Sequence, residues 1–167
     1  MRVERIDLFR PRPTQTLPVV LSVDEVWRIL DHVHQPAYYA CLATIYPCGL
    51  RISEAVTLPV SWIDSARMQR QVRGGKGNKD RSIPLPPRTL TLLRRHGVPH
   101  PNPVWLFPAG PRAGMERPTA TAPIGACGLR RALLPARAEA GVRTHACVHT
   151  LRHWGATPCS RPASRGA

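Results

Sequence analysis

The segment His149-Thr150-Leu151-Arg152-His153 places an imidazole and a guanidinium three residues apart. On a helix these side chains share a face, where both can meet one phosphate. A second candidate lies at Arg51 and Glu54, again three apart, so that a carboxylate can orient an arginine fork. The third is Gly74-Gly75-Lys76-Gly77-Asn78-Lys79-Asp80-Arg81. Lys76 and Lys79 are the only lysines among 24 basic residues, the rest being arginine. A lysine kept in so arginine-rich a chain points to chemistry that needs a dissociable ammonium, such as protonation of a leaving group. Each pair also has an ordinary reading: an i,i+3 surface ion pair, a solvated Gly-Lys turn, a hydrogen-bonded core histidine.

These residues must be positioned by one domain, since 167 residues suffice for one real core and not comfortably for two. The 24 basic residues face 10 acidic ones, a formal net charge of +14, which favours a polyanionic partner, naturally nucleic acid. The weight of arginine, alanine, proline and glycine is also what GC-rich coding produces, so charge alone is only modest support. The five cysteines show no paired spacing and read as reduced, mostly buried thiols. His145-Ala146-Cys147-Val148-His149 alternates across two faces if extended and lacks a second ligand pair, so no metal site is expected. With no apolar run of membrane-spanning or signal-peptide character, the expectation is a cytoplasmic, nucleoid-associated protein with no membrane partner.

Residues 1–18, with Pro11, Pro13 and Pro18, read as an extended leader. Ser22-Val23-Asp24-Glu25 is a capping-box pattern and predicts a helix over 22–34. A second helix, apolar nearly all round, runs from Pro36 to Gly49, and a short third covers Leu50–Leu58 before Pro59. Met68–Arg73 and Arg81–Leu85 predict a hairpin around the lysine loop. A helix follows Pro86-Pro87 and ends at Gly97; residues 98–123, with seven prolines, read as a surface connector. Further helices are predicted over 125–140, despite Pro135, and from about His149. Tyr38, Tyr39 and Tyr46 read as core or helix-face residues, and Trp62 and Trp105 as packing rather than base-stacking platforms. The fold class is mainly α with a small antiparallel β-hairpin or sheet.

Three boxes in one order carry a resemblance. Tyr46-Pro47-Cys48-Gly49-Leu50-Arg51-Ile52-Ser53-Glu54-Ala55 is similar to an aromatic-x-x-G-L-R-x-S-E box. Gly75-Lys76-Gly77-Asn78-Lys79-Asp80-Arg81 with Ile83-Pro84-Leu85 resembles a G-K-G-x-K-x-R-x-x-P-L hairpin. His149-Thr150-Leu151-Arg152-His153 with Ala156-Thr157 resembles H-x-L-R-H-x-x-A-T. Together they resemble the catalytic domain of tyrosine recombinases, the phage-integrase family, over 19–157, and most resemble integrases of mobile elements.

The resemblance implies an integrase-like catalytic core acting on double-stranded DNA, with other recombinase subunits as partners and no metal or nucleotide cofactor. In the family a tyrosine attacks a phosphodiester, forming a 3′-phosphotyrosyl link and expelling a 5′-hydroxyl. By resemblance Arg51 and Arg152 bind the non-bridging oxygens, Lys76 protonates the leaving oxygen, and His149 serves proton transfer or phosphate binding. Glu54 and His153 are supporting residues, and Lys79 and Arg81 contact DNA.

Residues 158–167 depart from the family pattern: no tyrosine follows the third box, and no further histidine or tryptophan follows Trp154. Relatives continue this helix with a sequence such as His-Leu-Leu-Glu-Ala-Gly. GC-rich codons for its Leu-Leu-Glu-Ala-Gly portion, read one base later, spell Cys-Ser-Arg-Pro-Ala, which are Cys159 to Ala163. The expectation is a shifted frame near 157 and a domain incomplete at its C-terminus, lacking its own nucleophile, which the downstream nucleotide sequence tests. Two alternatives remain open: activity with a tyrosine supplied in trans, and a non-catalytic basic DNA-binding or regulatory module on the same scaffold.

Overall fold

The computed structural model describes residues 21–72, 80–97, 101–110, 117–144 and 147–152. Its centre is a helix, α2 (Pro36–Cys48), in which Ala40 to Tyr46 are all buried. The stretch carries no charged residue, and its one hydroxyl outside Tyr46, on Thr44, donates to Ala40 O within the helix, so no face is left for solvent and other elements must surround it. Helices α1 (Val23–Asp31), α3 (Ile52–Val56), α4 (Pro87–Gly97), α5 (Ala126–Glu139) and α6 (Val148–Arg152) all pack on it.

Helix α1 is nucleated by the capping box read in the sequence. Ser22 Oγ accepts from Glu25 N at 3.2 Å, and Glu25 Oε2 accepts from Ser22 N at 2.8 Å. Its Val26, Ile29 and Leu30 stripe is buried, and Trp27 meets Tyr46 of α2 edge-to-face at 6.1 Å. The helix stops at Asp31 rather than 34, because its last turn closes at His32 and Val33 with short-range bonds to Ile29 and Leu30 carbonyls. Gly128 of α5 lies directly under the Tyr38 ring of α2, a close approach that only an absent Cβ permits. Tyr46 is buried, Tyr38 and Tyr39 half-buried.

The expected hairpin has a third strand. β1 (Ile63–Asp64), β2 (Gln69–Val72) and β3 (Arg81–Pro84) form an antiparallel sheet in the order β1-β2-β3, with Arg70 opposite both Ile63 and Ile83. The β1–β2 turn is fixed by Asp64, whose Oδ1 accepts from Ala66 N and Arg67 N at 3.1 and 2.9 Å. A two-residue strand has too little periodicity to register in sequence; the ladder to β2 creates it.

The proline-rich connector is more than surface. Phe107 is fully buried, and backbone bonds Leu106 N to Leu58 O and Ile124 N to Phe107 O stitch the segment to the core. Asn102 is the organiser: its Oδ1 accepts from Val104 N and Trp105 N, and its Nδ2 donates to Pro118 O and Ala120 O. Prolines cannot supply their own backbone donors, so a buried amide does the pairing. The four described cysteines also divide differently from expectation: Cys41 and Cys48 are buried, whereas Cys127 and Cys147 are exposed, and Cys159 lies outside the described residues. α5 presents Arg130 and Arg131 outward and α6 presents His149, and α5 carries Pro135 on its exposed side. Within the described residues no helix is long and apolar enough to cross a membrane.

Candidate functional site

The site begins at the end of α2. Gly49 takes a left-handed conformation, φ 58°, and its N–H closes on Ile45 O. That turn reverses the chain within two residues and leaves Arg51 as the N-cap of α3, so α3 covers Ile52–Val56 rather than the longer span predicted. An arginine cannot accept hydrogen bonds, so only the reciprocal half of a capping box forms: Glu54 Oε2 accepts from Arg51 N at 2.8 Å. The same carboxylate binds the Arg51 guanidinium, with Nη1 to Oε1 at 2.8 Å.

Glu54 then reaches a second arginine, 27 residues on. Arg81 Nη2 on β3 donates to both carboxylate oxygens, at 3.1 and 2.9 Å. Glu54 is nearly enclosed, its side chain 11% exposed, while Arg51 and Arg81 keep 33% and 39%. Burial pushes the Glu54 carboxyl upward; the Arg51 backbone and side-chain hydrogen bonds, with the charges of Arg81 and Arg51, outweigh it and hold the group below its ordinary value. It is therefore ionised at neutral pH, a fixed anion between two partly exposed cations. Arg81, read in sequence as a DNA contact, is thus also the partner of Glu54.

A third guanidinium stands behind them and was not singled out in the sequence. Arg70 on β2 is fully buried, and its Nε, Nη1 and Nη2 have no hydrogen-bond partner among the described residues. Burial lowers it to about 10, against the raising influence of Cys48, Glu54 and Cys41. The signal that could have found it is register: Arg70 sits between Ile63 and Ile83 on the face those isoleucines turn to the core. Gln69-Arg70-Gln71 shows no apolar alternation, so the sequence gives no inward face.

The third box forms α6. Val148 and Leu151 anchor it against α2, which leaves His149 exposed on the adjoining face. Cys147 N donates to Thr150 Oγ1 at 3.2 Å, holding the first turn. Burial pushes the Cys147 thiol up, but hydrogen bonds from the Thr150 side chain and the local backbone bring it below its ordinary value. Arg152 closes α6. Lys76, Lys79 and His153 lie outside the described residues.

One carboxylate thus unites the first box with the strand after the lysine loop, and the third box rests on the helix that leads into the first. The shared, locked carboxylate holds two guanidiniums that each keep a third or more of their side chain exposed, a donor chemistry suited to a tetrahedral anion.

Comparison with known proteins bears on this arrangement. Residues 19–161 match the phage integrase family model. An integrase/recombinase of Escherichia coli is 32% identical over 192 aligned positions, covering 93% of this chain and 56% of that protein. The tyrosine recombinase XerD of Brucella abortus is 32% identical over 171, covering 89% and 55%. The chain therefore spans just over half the length of these relatives. Among solved structures the XerA recombinase superposes with a TM-score of 0.68 at 24% identity, covering 87% of this chain and 50% of that one. The lambda integrase catalytic core superposes at 0.65 with 16% identity, covering 83% and 81%. These structural likenesses establish a shared fold.

Proposed function

The chain belongs to the phage integrase family, and on that footing we propose that it binds duplex DNA as the phosphate-holding part of a tyrosine-recombinase catalytic domain. In this reading Arg51 and Arg152 grip the two non-bridging oxygens of a phosphodiester. His149 lies beside that phosphate, and Lys76 delivers a proton to the leaving 5′-oxygen. Glu54 orients Arg51, with His153 supporting the third box, and Lys79 and Arg81 meet the flanking backbone. The observation that carries the reading is the Glu54 carboxylate, which binds Arg51 and Arg81 from opposite ends of the first two boxes. A surface ion pair would not need to bury its carboxylate or recruit a strand.

The tyrosines of the chain, Tyr38, Tyr39 and Tyr46, all belong to α2, and Tyr46 is buried and in contact with Trp27. In this reading the site works on DNA together with other recombinase subunits, in a nucleoid-associated assembly. One solved neighbour is a lambda integrase dimer bound to a core site.

Two measurements test this. Duplex binding followed by fluorescence anisotropy should weaken steeply with salt, and Arg51→Ala with Arg152→Ala should lower the logarithmic salt slope by about 2. A suicide substrate should yield no covalent adduct with the chain alone and an adduct on the tyrosine of an added full-length family member. Duplex binding indifferent to both arginines, or absent at low salt, refutes the proposal.

A further inference from the structure

At the end of α2 remote from Gly49, an open cleft of about 430 Å³ runs between the α1–α2 turn and α5. The length of α2 separates it from the Arg51 and Glu54 site, about 20 Å along the helix axis, so the two are distinct. Its volume falls within the range of about 300–1,000 Å³ typical of small-molecule sites.

The polar groups of the cleft are His32, His34, Gln35 and Tyr38 on one side and Arg131 on the other. Glu139 is already engaged: its Oε2 bonds His34 Nε2 at 3.0 Å and braces the turn against α5. Arg131 is exposed and pairs with no carboxylate among the described residues. Gln35 is the N-cap of α2, yet its side chain makes no cap bond. His32 Nδ1 lies 2.7 Å from Arg28 O; a carbonyl only accepts, so Nδ1 carries the hydrogen and Nε2 is the end of the ring left to the cleft.

Pro135 adds an acceptor. It has no N–H, so Arg131 O lacks the donor that an α-helix places four residues on. The remaining wall is apolar, with Ala132 and Pro135 beside the Tyr38 ring, which Gly128 admits against α5 because it has no Cβ.

We propose that this cleft binds a small phosphate monoester, a nucleoside monophosphate in size and chemistry. Arg131, the Gln35 amide and the Tyr38 hydroxyl donate to the phosphate oxygens. Arg131 O and His32 Nε2 accept from sugar hydroxyls, and the base lies on the wall formed by Pro135 and Tyr38. Bound there, the ligand adds to the His34–Glu139 brace between the turn and α5. The proposal is independent of the function assigned to the Arg51 site.

The test titrates the full chain with adenosine monophosphate and follows the His32 and His34 ring signals by NMR. Both should shift together and saturate. Adenosine, which lacks the anion, should bind about tenfold more weakly, and inorganic sulfate, which lacks the ring and hydroxyls, several-fold more weakly. Arg131→Gln should weaken nucleotide binding about tenfold, the loss of one charge-assisted hydrogen bond, and Arg131→Lys should recover part of it. Because Arg131 is exposed, both variants should keep the parent's unfolding midpoint. Arg51→Ala should leave the affinity read from His32 and His34 unchanged. No saturable shift at millimolar nucleotide, equal affinity for adenosine, or Arg131→Gln binding as tightly as the parent overturns the proposal. A short DNA duplex that shifts the same two rings and displaces the nucleotide also overturns it, by assigning the cleft to a DNA-binding surface.

Discussion

Replacing Glu54 with alanine removes the acceptor of four contacts: one from Arg51 N, one from Arg51 Nη1, and two from Arg81 Nη2. The backbone contact is a helix-cap bond, worth about 1 kcal/mol. Each ion pair has one partner exposed by a third or more, so water replaces part of what is lost, and each pair counts for about 0.5–1 kcal/mol. The expected loss is therefore about 2–3 kcal/mol at pH 7, read from urea unfolding by tryptophan fluorescence with an unchanged denaturant slope. The sign with pH follows from the depressed carboxyl. Stability from ionised Glu54 is fully present above its unfolded value, about 4.3, and is lost as pH falls through the lower folded value. The difference between parent and Glu54→Ala should accordingly shrink as pH is lowered towards 3. Arg81→Ala should cost about 0.5–1 kcal/mol in the parent and almost nothing in the Glu54→Ala background, because the pair is already broken. A loss below 0.5 kcal/mol at pH 7, or a loss of equal size at pH 3, would show that the carboxylate does not hold the two arginines together.

Gly128→Ala should destabilise the protein by up to about 2 kcal/mol, since the clash of the new methyl with the Tyr38 hydroxyl and ring costs about 1–3 kcal/mol and alanine returns about 1 kcal/mol of helix propensity; adding Tyr38→Phe should return part of the loss in the same unfolding assay. Asn102→Ala deletes four bonds at the heart of the connector and should cost about 2–4 kcal/mol in thermal or urea unfolding, with Asn102→Asp sparing the two accepted bonds but not the two donated ones. Alkylation mapped by mass spectrometry at pH 8 should modify Cys147 well before Cys48, which burial pushes up to about 11; equal rates in the folded chain would contradict the burial of Cys48.

Local features were legible because they are set by neighbours in the chain. The Ser22–Glu25 box, the proline starts at Pro36 and Pro87 and the left-handed stop at Gly49 each depend on a handful of adjacent residues. The pairing of Arg51 with Glu54 was legible from their spacing, although the structure makes it between the extended N-cap and the third residue of α3 rather than across one helix face. The strand β1 and the buried run of the connector were not, since both exist through hydrogen bonds to distant partners. Phe107 sits among prolines that suggest solvent, and only Leu58 and Ile124 reveal that the backbone there is paired. Cys127, with Leu129 two residues on, could have faced either way; the side of α5 turned to α1 and α2 decided.

The sequence alone determined the three boxes, their order, the family they belong to and a mainly helical domain with a small antiparallel sheet, because residue type and short-range spacing encode all of these. Tertiary structure decided which cations share the Glu54 carboxylate. Arg81 reaches it only because the β2–β3 register carries that residue alongside α3, and the same register turns Arg70 inward between two isoleucines. A one-residue slip of that ladder would reverse both side chains, and no local pattern in Gln69-Arg70-Gln71 forbids it. The electrostatics of the site are thus a property of strand pairing, which the chain specifies only through the whole core that closes around it.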